Sequence, residues 1–172
     1  MSPDDIADLV AAYFERIARE VFAGDPASNP NLTVEVLGNG LAMDTPVMIV
    51  ITPWTVMGMV FPPDGRLPPE LRIDHRHYPV LENEVEAIGR YHSVLLIPDV
   101  SDYRNQEAVR DDAVALLPGL LSSIERWRKE KVGVADSERR ALVRNLTGRA
   151  DPVSPTSPFG VPDEPPASSP EA

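Results

Sequence analysis

The chain contains no cysteine. That single absence excludes disulfides, zinc knuckles, thiolate-held iron–sulfur clusters and thiol nucleophiles. Nor is there any run near the roughly 20 apolar residues that a membrane-spanning helix needs. The opening, Met1-Ser2-Pro3-Asp4-Asp5, carries acid where a secretory signal carries base. The expectation is a soluble, cytoplasmic protein with no membrane insertion. Basic side chains are short as well: 16 Lys and Arg stand against 27 Asp and Glu. Residues 1–125 hold 8 basic and 20 acidic side chains, whereas 126–150 hold 8 basic and 3 acidic. An acidic body repels phosphate backbones and anionic lipid, which argues against nucleic acid and membrane surfaces as partners. It attracts cationic peptide, and it serves plain solubility equally well.

What is present reads as one domain over residues 1–150 followed by a tail. A length of 172 residues suits a single core. From Asp4 to Phe22, apolar side chains at Ile6, Leu9, Val10, Tyr13, Phe14, Ile17 and Val21 recur at helical steps, with Asp4, Asp5 and Asp8 near the start where the helix dipole favours them. The period then changes. Leu32 to Leu37 alternates as a strand, and Gly38-Asn39-Gly40 is turn chemistry. Val47 to Ile51 is a continuous apolar run, Thr52-Pro53 interrupts it, and Trp54 to Phe61 resumes as a second strand. Leu71 to Val80 and Gly89 to Ile97 are two more strand segments, joined by an acidic stretch around Glu82, Glu84 and Glu86. Helical spacing returns at Gln106, breaks or kinks at Pro118, runs on to about Lys131, and reappears as a short helix over 136–146. From Asp151 onward seven of 22 residues are proline, too little apolar surface to offset chain entropy, so a disordered tail is expected over 151–172. The pattern predicts an α+β fold: an antiparallel sheet of about five strands packed against N-terminal and C-terminal helices.

Chemistry-bearing residues are few. His75, His77 and His92 fall on two predicted strands, His75 and His77 sharing one face. Three imidazoles suit nickel or zinc, but no further ligand pattern surrounds them, and a solvated strand face accounts for them as well. Ser93 follows His92 directly, so the two side chains point to opposite faces of a strand and make no nucleophile–base pair. No metal site, cofactor or catalytic constellation is expected. Methionine is clustered instead: Met43, Met48, Met57 and Met59 fall within seventeen residues, and Met57, Met59 and Phe61 share one strand face. Methionine adapts its shape to varied apolar partners, although ordinary core packing explains each residue singly. Trp54 fits either account. Arg139-Arg140 lies in the basic stretch with Arg126, Arg128, Lys129, Lys131 and Arg144, either a charged helix face or a dock for an acidic region of a partner.

The block Val50-Ile51-Thr52-Pro53-Trp54-Thr55-Val56-Met57-Gly58-Met59-Val60-Phe61-Pro62 resembles the signature of the HybE/HupJ family of [NiFe]-hydrogenase assembly chaperones. Three further pieces resemble that family in order: Ala12 to Arg19, Asp111-Asp112-Ala113 through Pro118, and Ser137-Glu138-Arg139-Arg140-Ala141-Leu142. The resemblance implies a non-enzymatic cytoplasmic chaperone whose partners are the small-subunit precursor, the large subunit, or both, together with other maturation proteins. It further implies that export is held back until the cofactors are inserted. Pro53, Trp54, Met57, Met59 and Phe61 then become the client-facing or site-shaping block, with Arg139 and Arg140 second. A small-ligand-binding α+β domain and a nickel metallochaperone built on the histidines are the alternatives.

Overall fold

In the computed structural model, residues 1–146 are described and form two helices and six strands. Helix α1 spans Pro3–Glu20 and helix α2 spans Gln106–Leu146. The strands are β1 (Glu35–Ala42), β2 (Thr45–Ile51), β3 (Val56–Val60), β4 (Glu70–Ile73), β5 (Arg76–Val85) and β6 (Gly89–Ile97). All pairings are antiparallel, in the order β1-β2-β3-β6-β5-β4. The expected α+β architecture is therefore present, with one strand more than expected. The tail expected to be disordered, 151–172, lies outside the described residues. The chain divides into two units, residues 1–132 and 133 onward. The first holds α1, the sheet and the first part of α2. The described part of the second, 133–146, is helix.

Because alternate residues of a strand face opposite ways, the apolar run of β2 builds two cores at once. Val47, Ile49 and Ile51 join Val56 and Val60 of β3, Leu71 and Ile73 of β4 and Val94 of β6 on one side, packed against Val109, Ala113, Leu120 and Ile124 of α2. Met48 and Val50 join Met59 and Tyr91 on the other side, against Ala7, Val10 and Phe14 of α1. Helix α1 begins with Ser2 as N-cap, its hydroxyl accepting from the Asp5 N–H while the Asp5 carboxylate accepts from the Ser2 N–H, which satisfies otherwise orphaned donors. Helix α2 starts where Asn105 Oδ1 accepts from the Ala108 N–H at 2.8 Å. It approaches the sheet closely over Gly58, where an added Cβ would meet Leu120 Cδ2 at 2.8 Å.

Several local expectations are corrected. Gly38-Asn39-Gly40 is not a turn: β1 continues through it with a register shift between Leu37 and Gly40, and the chain reverses at Met43-Asp44. The segment from Leu71 to Val80 is not one strand but a hairpin. Ile73 pairs with Arg76, and Asp74 takes a left-handed φ of 54° in the two-residue turn, a conformation that aspartate tolerates better than most residues. Glu82 and Glu84 lie within β5 and not in a joining loop. The helix from Gln106 is continuous to Leu146 with Pro118 inside it. Pro118 and Val114, whose carbonyl loses its partner to the missing N–H, are both exposed, so water replaces the lost bond.

Candidate client-binding face

The Thr-Pro-Trp block is a knot between β2 and β3. Thr52 Oγ1 donates to the Thr55 carbonyl at 2.8 Å and accepts from the Thr55 N–H at 3.0 Å. Thr55 Oγ1 donates to the Ile97 carbonyl at 3.0 Å. The Pro53 carbonyl accepts from the Asn29 N–H at 2.7 Å, and buried Asn29 donates from Nδ2 to the carbonyls of Val100 and Tyr103, each at 2.8 Å. The turn is thereby tied to β6, to the loop after α1 and to the segment before α2. It presents Trp54 to the end of α1, stacked on Phe22 with ring centroids 4.0 Å apart and tilted 10°.

The predicted residues separate into two groups. Pro53 and Met59 are buried, so they shape the site from beneath. Trp54, Met57 and Phe61 are half-buried along the margin of α1, with Phe61 6.0 Å from the Tyr91 ring. Arg139 and Arg140 are exposed on the helix of the second unit and border a shallow hollow with Val143 and Arg144.

Beyond that margin the sheet is bare. Helix α1 packs over β1 and β2 and reaches Tyr91 of β6 and Val85 of β5, whereas Leu81 of β5 and Leu95 of β6, on the same side, lie outside that cluster. Met57 sits opposite Leu95, and Met59 opposite Ser93, which faces Leu81 on β5. Leu95 is 44% exposed and Leu81 60%. Together with Tyr78, Pro79, Leu96 and Pro98 they border an open hollow of about 470 Å³. Asn83 Nδ2 donates across the strands to Ser93 Oγ at 2.9 Å, fixing the floor beside Leu81. A second hollow, about 290 Å³, lies between the flank of α1 (Leu9, Tyr13, Arg16, Arg19) and Ala87 of the β5–β6 turn.

Leu81 and Leu95 were not singled out from the sequence. Val94 to Ile97 is apolar throughout, which reads as a strand buried on both faces, and Leu81 stands beside Glu82 in what looked like a solvated stretch. The clue available was the mismatch between a two-faced apolar strand and only one long helix to cover it.

The histidines do not converge. His75 is in the β4–β5 turn, not on a strand with His77. His77 is on the bare side of the sheet, 3.5 Å from Glu70. His92 is 3% exposed on the opposite side, and its Nδ1 lacks a hydrogen-bond partner. Burial pushes its pKa down, partly offset by Glu82. Among the described residues no group of three or more His, Asp or Glu is placed to hold a metal ion. The basic stretch is also corrected at Arg128, whose side chain is 7% exposed. Its Nε donates to Asp44 Oδ1 and its Nη1 to Asp64 Oδ1, both at 2.7 Å, so it clamps α2 to the β1–β2 turn and the β3–β4 loop.

Residues 5–145 match the family described as [NiFe]-hydrogenase assembly, chaperone, HybE. The chain belongs to this family. It is also similar to two curated proteins, nearly all of whose length it covers. One is the hydrogenase expression/formation protein HupT of Azotobacter chroococcum mcd 1, 29% identical over 150 residues, covering 83% of this chain and 97% of that protein. The other is the hydrogenase expression/formation protein HoxT of Azotobacter vinelandii, 31% identical with the same coverage. No solved structure matches. Membership of the HybE family assigns the protein to hydrogenase assembly and implies interaction with hydrogenase subunits or maturation factors. The names of the family and of these relatives describe assembly and formation, as for a non-enzymatic factor. Among the described residues no helix is long and apolar enough to cross a membrane.

Proposed function

We propose that this HybE-family protein binds an immature [NiFe]-hydrogenase subunit, the small-subunit precursor or the large subunit, in the cytoplasm. It holds that subunit back from export until the cofactors are in place. The client docks on the bare side of β6, β5 and β4, with Trp54, Met57 and Phe61 at the margin of the dock and Pro53 and Met59 supporting it from below. Arg139 and Arg140 supply a second contact. The observation that carries this reading is the exposed apolar face around Leu81 and Leu95, bordering an open hollow. Exposed, contiguous apolar surface of this kind marks interaction sites, and the thioether of Met57 at its edge adapts to differently shaped segments.

The test is co-expression of the tagged protein with each hydrogenase subunit, followed by capture and mass spectrometry. The wild type is expected to recover a subunit precursor, and the Leu81→Ser/Leu95→Ser double variant at least fivefold less, with unchanged circular dichroism. Recovery of no subunit by the wild type under conditions of hydrogenase synthesis would overturn the proposal.

A further inference from the structure

We infer that the segment seated on the bare half of the sheet is acidic as well as apolar. The argument rests on the proposal that the client docks there, and it comes from where the few basic side chains of the body are placed. Residues 1–125 contain only 8 of them, against 20 acidic ones. On the α2 side of the sheet they are neutralised. Arg90 lies 3.6 Å from Glu82 and 3.7 Å from Glu84, and Arg66 lies 3.8 Å from Glu82. Arg110 Nε is 2.8 Å from Glu35. Arg104 lies apart, in the loop before α2.

Of the remaining four, Arg72, Arg16 and Arg19 border the bare face and Arg76 stands at its rim. Arg72 is on β4, paired in register with His77, whose side of the sheet it shares. Arg76 pairs with Ile73 of the α2 side and reaches the rim of the hollow that Leu81 and Leu95 also border. Arg16 and Arg19 line the hollow between α1 and the β5–β6 turn. Among the described residues none of the four is ion-paired with a carboxylate, although Arg16 stands 5.6 Å from the Tyr13 ring centre. Of the carboxylates nearby, Glu70 is engaged with His77 and Asp5 in the Ser2 cap, while Asp8, Glu15, Glu20, Asp74 and Glu86 form no ion pair with the four arginines and offset part of their charge.

One pair of arginines thus stands near the β4–β5 turn and the other near the β5–β6 turn, at the two ends of β5. Ten residues of strand separate these ends, about 30 Å at roughly 3.3 Å per residue. Two cationic ends with an apolar floor between them complement an extended apolar segment of about eight residues carrying carboxylates at its termini. The same arrangement repels a cationic segment. The basic start of an export signal is therefore not what occupies this face, and the net acidity of the chain misrepresents the charge that a client meets here.

Binding of two fluorescent peptides to the full chain tests this by anisotropy. Both carry one eight-residue core of leucine, valine and alanine; one is flanked at each end by two glutamates and its twin by two lysines. At low salt the glutamate peptide is expected to bind about tenfold more tightly, since exposed pairs contribute little singly and four act together. Arg72→Glu/Arg76→Glu and Arg16→Glu/Arg19→Glu should each reduce that ratio, while Arg72→Lys/Arg76→Lys keeps it. Equal binding, preference for lysine, no binding of either peptide, or a ratio indifferent to the reversals would overturn the inference. Subunit capture that still depends on Leu81 and Leu95 while the peptide ratio fails leaves the docking proposal standing without its charge. An arginine-dependent peptide preference in a protein that captures no hydrogenase subunit leaves the charged dock and removes the hydrogenase client.

Discussion

Arg128 shows how one side chain fixes three segments. Its guanidinium meets Asp44 and Asp64, and the Trp127 ring lies 5.8 Å from it. Both aspartates are more than half exposed and hydrate if the arginine is removed, so the loss falls short of that for a fully buried pair. Arg128→Met is expected to cost about 1–2 kcal/mol, read as a lowered Tm. Hydrogen bonds from Arg128 hold the Asp44 carboxyl down at about 2. A group depressed in the folded state contributes stability above its unfolded pKa, near 3.9, and loses it as pH falls toward 2. Wild type should therefore lose stability across that window, and Asp44→Asn should lose less; a denaturant titration at pH 4 and pH 2 measures the difference. At this scale the sequence was legible for chemistry and blind to placement. Trp54 and the methionines stood out by type, yet whether Met59 is floor or surface depends on α1, some forty residues earlier. Arg128 read as one more basic side chain because its two aspartates are remote in the chain.

Elements explain themselves more fully. The period-3.6 stripe of α1 and the unbroken apolar run of β2 forecast one face on the sheet and a strand buried on both sides, and both occur. The β4–β5 hairpin was missed because Asp74-His75 lacks the glycine that announces a tight turn, and the α2 interior because a mid-helix proline usually ends a helix. That proline is a cost at an exposed position. Pro118→Ala restores a donor to the Val114 carbonyl and is expected to raise stability by about 1–3 kcal/mol in thermal or denaturant unfolding. The opposite result is expected at Gly58, where α2 rests on β3. Gly58→Val drives side-chain atoms into Leu120 and should cost about 1–3 kcal/mol, lowering the midpoint of urea unfolding.

For the molecule as a whole, charge and apolar surface are sorted by side. The α2 side of the sheet is closed by a helix and its basic groups are neutralised. The α1 side is closed over β1, β2, Met59 of β3 and Tyr91 of β6, and bare around Leu81 and Leu95. If the client docks on that bare half through opposite charge, its complex with the wild-type chain should weaken severalfold between about 0.1 and 0.5 M salt, where the screening length falls from about 10 Å to about half that. Capture yields across a salt series measure this, and a yield indifferent to salt would assign the binding to Leu81 and Leu95 alone. None of this sorting shows in a net charge of −11, since it depends on which strands become neighbours.

The sheet also ends in a particular way. At one border β4 is four residues long, and at the other β1 is broken by the register shift between Leu37 and Gly40. Long, regular edges recruit foreign strands and seed fibres, a standing hazard for any protein that spends its time beside unfinished chains. Both margins here are too short or too irregular to template such growth, so a client docked as proposed would lie against the flat of the sheet without being knitted into its rim.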